Sequence, residues 1–99
     1  MAALTLDEVR KKVRVGSTVL WVYRDNVEDG SVIIKTRDQL DLCWLEGYKS
    51  RNDTIDVSEV LAIMEKNGDA VEVFPFTGRG FMTEAGERWL ATHPREAAA

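Results

Sequence analysis

Thr18-Val-Leu-Trp-Val-Tyr-Arg24 decides the fold class. Side chains alternate along an extended chain, so Val19, Trp21 and Tyr23 share one face and Leu20 and Val22 the other. Apolar residues on both faces mark a strand that is central in its sheet or covered twice. Upstream the period is that of a helix. Thr5-Leu-Asp-Glu8 is a capping box, in which the Thr5 hydroxyl accepts from the backbone of Glu8 and Glu8 reaches back. Leu6, Val9 and Val13 then recur at helical spacing, which predicts a short helix over 6–13, closed before Gly16. Its other face carries Arg10, Lys11, Lys12 and Arg14.

Downstream, short strands follow at close spacing. Asp25-Asn-Val-Glu-Asp-Gly30 is turn chemistry and places the second strand at Ser31–Thr36, which is rich in β-branched residues. Arg37-Asp-Gln39 makes a tight link to a third strand, Leu40–Leu45, with Leu42 and Trp44 opposite Asp41, Cys43 and Leu45. Glu46–Asp53 is polar, a loop or hairpin. Thr54–Val57 is a short fourth strand, and Ser58-Glu-Val-Leu61 is one helical turn capped by Ser58. Residues 59–67 fit either a helix stopped at Asn67-Gly68 or a strand. The strand-like run Asp69–Phe76 favours a hairpin, Ala62–Lys66 against Asp69–Phe74, with Pro75 on an edge or ending its strand. Thr77-Gly-Arg-Gly80 is a loop, and Thr83–Thr92 a final helix packed by Trp89 and Leu90 and ended by Pro94.

A chain of 99 residues, 44% hydrophobic and 30% charged, holds one core and one domain, 1–99. A net charge of -4 argues against a generic polyanion binder. The charge is bipolar: residues 10–51 carry nine basic and six acidic side chains, residues 52–99 four and nine. Such a surface suits a charged partner or a contact between copies, although small domains also acquire asymmetry by chance. Cys43 is the one cysteine, which fits a reducing compartment and a cytoplasmic location. The start carries no basic segment followed by a long apolar core, and no apolar run approaches a membrane span.

Val15-Gly-Ser-Thr-Val-Leu-Trp21 resembles the first strand of Tudor and SH3-like small barrels. Leu42-Cys-Trp-Leu-Glu-Gly-Tyr48, followed by Thr54-Ile-Asp-Val-Ser-Glu-Val-Leu61, resembles their third strand with its Gly-Tyr turn, the fourth strand and the short helical turn after it. The resemblance covers residues 15–63. It implies a small barrel of five to six antiparallel strands over about 17–76, with short N- and C-terminal helices. It also implies a binding module rather than an enzyme. Many Tudor domains hold a methylated Lys or Arg in an aromatic cage, since ring faces attract a cation that is readily desolvated. Carried over by position, the cage residues are Trp21 or Tyr23, Trp44 and Tyr48. The second strand, Val32-Ile-Ile-Lys35, lacks the aromatic such cages usually take from it. Trp21 and Trp44 also have a plainer assignment, because alternation groups them with Val19 and Leu42 as core.

The remaining motifs are weaker. His93 stands alone near the C-terminus, with no triad or metal site. Cys43 lacks a base to make it a nucleophile, so a buried structural thiol is expected. Gly78-Arg-Gly80 has the look of an anion cradle, but Phe81-Met82 separate it from the helix and a plain turn suffices. Asp25, Glu28 and Asp29 do not match a calcium loop and read as a solvated acidic turn. More telling are Lys35 and Arg37 with Lys49 and Arg51, two basic couples expected to meet on one rim beside Tyr48. A basic rim with a stacking aromatic suits an acidic peptide or single-stranded nucleic acid, and an ordinary solvated rim is the alternative.

The expected function is therefore a non-catalytic binding or adaptor module for a protein or peptide, without metal, cofactor or membrane contact. Binding of single-stranded nucleic acid through the same rim, or self-assembly through strand edges as a homodimer, are the alternatives.

Overall fold

The structure is a computed structural model that describes residues 4–68, 70–76 and 84–92. Helix α1 (Leu6–Lys12) leads into β1 (Thr18–Tyr23), β2 (Asn26–Lys35), β3 (Gln39–Glu46) and β4 (Lys49–Asp56). One 3-10 turn (Val57–Glu59) separates these from β5 (Ala62–Asn67) and β6 (Ala70–Pro75), and helix α2 (Glu84–Thr92) follows. The six strands form one sheet in the order β4-β3-β2-β1-β5-β6, antiparallel throughout. A mostly antiparallel β domain with flanking helices is thus the observed class. Among the described residues no β4–β6 pairing closes the sheet into a barrel.

β1 is central, between β2 and β5. One of its faces supplies Val19 and Trp21 to a core completed by Val32, Leu40, Leu42, Trp44, Ile55 and Ile63. Val9 and Val13 of the α1 segment and Val57 and Val60 around the 3-10 turn close over that core. α2 lies against β1 and β2, and Leu20 and Val22 on the second face of β1 are half-buried. The α1 capping box forms as expected, with Thr5 Oγ1 accepting from the Glu8 N–H at 3.2 Å and Glu8 Oε1 from the Thr5 N–H at 3.0 Å.

Residues 59–67 contain no α-helix: β5 pairs with β6 from Ala62↔Pro75 to Asn67↔Ala70, and Gly68 sits in the turn at φ +65. Pro75 ends an edge strand, where its missing N–H breaks no inner ladder.

Four expectations need correcting. β2 starts at Asn26, not Ser31, because the turn is made by Arg24 and Asp25 alone, at φ 50 and 64. Two successive positive φ values match the right-handed twist of a hairpin, and aspartate tolerates them better than most residues. Asp25, Glu28 and Asp29 consequently do not share a loop. β4 starts at Lys49, since Gly47 and Tyr48 alone turn the chain. The cap of the 3-10 turn is Asp56, which pairs reciprocally with Glu59, rather than Ser58. Cys43 is half-exposed on the sheet's outer face, with Sγ 3.4 Å from Ser50 Oγ, rather than buried.

Leu90's side chain, the Gly78-Arg-Gly80 loop, His93 and Pro94 lie outside the described residues. Trp89 is half-buried on α2. No helix among the described residues is long and apolar enough to cross a membrane.

Candidate functional site

The position of each expected site residue follows from the two turns at the ends of β3. Gly47 and Tyr48 join β3 to β4, and Glu46 pairs with Lys49. Gly47 takes φ +64, a conformation that glycine adopts without strain. Tyr48 stands fully exposed at the tip of this turn. Lys49 beside it is exposed, and neither makes a side-chain hydrogen bond or ion pair among the described residues. Arg51, two residues on, is held by Glu46, with Nη2 3.3 Å from Oε1. Its Nε is buried without an acceptor among the described residues.

Lys35 and Arg37 are at the other end. The β2–β3 turn closes with the Thr36 N–H donating to the Gln39 carbonyl at 3.0 Å. The whole of β3, about 23 Å at the usual strand rise, separates it from Tyr48. The two basic couples therefore do not form one rim. Lys35 is occupied as well: its Nζ donates to the carbonyls of Arg10 at 2.5 Å and Val13 at 2.6 Å, covering the C-terminal end of α1. A bulge turns it there. Val32 pairs with Leu42 but Ile34 with Asp41, so the register slips by one residue and Lys35 comes opposite Leu40, which is buried. Without the slip, alternation would put Lys35 on the outer face. Arg37 remains exposed, 4.0 Å from Asp38.

The aromatic residues divide in two. Trp21 and Trp44 are only 1% and 6% exposed. Their rings meet edge to face at 4.9 Å and 78°, and Tyr23 meets Trp44 at 4.9 Å and 70°. Trp21 also lies over Gly30, where an added Cβ would come within 2.8 Å of the ring. Arg24 lies over the half-buried ring of Tyr23 at 5.0 Å. Tyr48 is apart from this stack. The four rings thus do not enclose one space, and the two tryptophans belong to the core. Their indole N–H groups are buried without an acceptor among the described residues.

No group of three or more His, Cys, Asp or Glu suited to a metal occurs among the described residues. Among the described residues Glu8 is the one carboxyl held below its ordinary range, by its hydrogen bonds with the backbone and then the hydroxyl of Thr5, and it belongs to the helix cap. The outer face of β2 and β3 carries an open groove of about 500 Å³ past Asp29, Ser31, Ile33, Cys43 and Leu45. Leu45 is 73% exposed there. Alternation along the third strand puts Leu45 outside, and the bulge in β2 leaves both Ile33 and Ile34 exposed.

Comparison with protein-family models, with curated proteins and with solved structures finds no match to this chain.

Proposed function

We propose that this domain is a non-catalytic binding module that engages an acidic segment of a protein partner at the β3–β4 turn. The observation that carries this reading is Tyr48: a full aromatic side chain held in solvent by a two-residue turn, next to a Lys49 with no ion-pair partner among the described residues. An exposed tyrosine is a rigid, amphipathic contact with little entropy to lose, and aromatics are enriched where partners dock. Lys49 adds charge complementarity, and Arg51, tied to Glu46, flanks the pair.

The finer architecture in this proposal is an SH3-like barrel. Support comes from the β1–β4 meander, the 3-10 turn between β4 and β5, and the return of β5 to β1. A cytoplasmic location belongs to the same proposal and rests on the single cysteine.

The test is fluorescence anisotropy with labelled Asp/Glu-rich peptides and, in parallel, a single-stranded oligonucleotide, at low and physiological salt. Peptide binding that drops at least tenfold in the double variant Tyr48→Ala/Lys49→Ala, with an unchanged melting temperature, is the expected result. Equal binding by the variant overturns the placement of the site. Oligonucleotide binding in preference to peptide, with a steep salt dependence, overturns the partner class.

A further inference from the structure

β4 ends the strand order, and its residues 49–54 are exposed or half-buried. Its backbone divides cleanly. Across a two-residue turn the flanking residues, here Glu46 and Lys49, form the closing hydrogen-bonded pair. By alternation the odd residues of β4 then direct N–H and C=O toward β3, and Ser50, Asn52 and Thr54 direct theirs away from the sheet. Three contacts agree. The Thr54 N–H donates to Asp53 Oδ1 at 2.9 Å and the Asp56 N–H to Glu59 Oε2 at 2.8 Å, neither acceptor being on β3. The Val57 N–H donates back across, to the Asp38 carbonyl at 2.8 Å.

We propose that this edge pairs antiparallel with the β4 edge of a second copy, about a two-fold axis through Asn52. Outward-facing even residues must oppose even residues, which leaves few registers, and charge chooses among them. An axis at Arg51 sets Arg51 against Arg51 of the second copy, and an axis at Asp53 sets Asp53 against Asp53. An axis at Ser50 sets Lys49 against Arg51. Only the axis at Asn52 sets Arg51 opposite Asp53 twice, with no like charges facing. Asn52 then exchanges two backbone hydrogen bonds with its counterpart, and Ser50 does so with Thr54 on each side.

The monomer gives up little for this. The Thr54 N–H trades the Asp53 carboxylate for a Ser50 carbonyl, and that carboxylate is released to the Arg51 guanidinium of the second copy. Arg51 is half-buried and held in the monomer by Glu46, with Nη2 3.3 Å from Oε1, and its remaining donors are shared with that second carboxylate. Charged edges usually block pairing. Here their order favours the Asn52 register, in which Arg51 meets Asp53 twice with no like charges facing, and makes the chain's own copy the matching occupant. One strand edge buries less than the roughly 1,600 Å² of a standard interface, so the dimer is weak and concentration-dependent. This pairing does not rest on peptide binding at Tyr48, and its readout is separate.

Sedimentation velocity from micromolar to near-millimolar protein tests it. The wild type is expected to sediment faster as concentration rises. Arg51→Asp faces Asp53 with a like charge and should dimerise about tenfold more weakly, and Arg51→Asp/Asp53→Arg should restore wild-type association. Asn52→Pro removes an outward N–H, leaves the β3 ladder whole and should be monomeric. Melting curves show which variants fold, and the charge pair carries the test if the proline variant does not. A wild type that stays monomeric at every concentration overturns the proposal. So does a double variant no better than the single reversal, or a folded Asn52→Pro that associates like the wild type.

Discussion

At the end of the sheet that holds the β2–β3 turn, charged side chains other than the exposed Arg37 are tied down. Lys35 covers two carbonyls of the α1 segment, Arg10 bridges Asp7 at 3.1 Å and Asp38 at 3.0 Å, and Asp56 and Glu59 cap the 3-10 turn. At the end that holds the β1–β2 and β3–β4 turns, two tight turns need no caps, and Tyr48 and Lys49 keep their polar groups for solvent. The same residue type thus does different work at the two ends. A lysine over a helix terminus satisfies backbone that would otherwise be orphaned. A lysine on a hairpin tip pairs with nothing among the described residues, so its removal tests binding without touching the fold.

The stack that supports the hairpin end should be the most sensitive part. Trp21→Ala is expected to cost about 3–5 kcal/mol, because it empties a fully buried volume beneath Trp44. Gly30→Ala should cost about 1–3 kcal/mol, since its Cβ meets the Trp21 ring and not a flexible chain end. Denaturant titration measures both. Equal, small losses would mean that the stack does not anchor β1 to β3.

The contrast between the ends is sharpened by a lysine pair. Lys35→Met should lower stability by about 1.5–3 kcal/mol, the range for hydrogen bonds from a charged donor. Lys49→Met should stay within about 0.5 kcal/mol of wild type. Parallel thermal melts decide, and comparable losses would erase the distinction drawn here.

A stabilising change is expected at the β1–β2 turn. Arg24→Asn/Asp25→Gly keeps the turn while relieving two side chains at positive φ, and should raise stability by about 1 kcal/mol. The smallest effect concerns acid. Glu8 has a folded pKa below its unfolded one, so its contribution is present at neutral pH and is lost as pH falls through the lowered value. Glu8→Gln should therefore flatten the acid limb of the melting-temperature profile, and an unchanged slope would exclude the capping box from acid unfolding.

Much of the fold was legible because its signals are local. The α1 capping box, the alternation in Thr18–Tyr23 and the hairpin signal at Asn67-Gly68 each act within a few residues, and each element appears close to where it was read, although Asn67 pairs with Ala70 and so flanks the turn instead of forming it. The start of β2 was missed because Arg24-Asp25 lacks the glycine that usually marks such a turn. The start of β4 was missed because Lys49–Asp53 is too polar to show a buried face, which is what an edge strand looks like.

The candidate site was legible only in its centre. Tyr48 stood out in a polar turn, and Trp21 and Trp44 grouped with core positions by alternation. By itself the sequence determined the order of most elements (though not where β2 and β4 begin), the faces of the central strand and the exposed tyrosine, since these follow from periodicity and turn chemistry within short windows. Only the tertiary structure decided which charges meet. One bulge at Ile33 moved Lys35 under α1, and the length of β3 set the two basic couples at opposite ends. Register and strand order come from contacts far apart in the chain, and no local pattern encodes them.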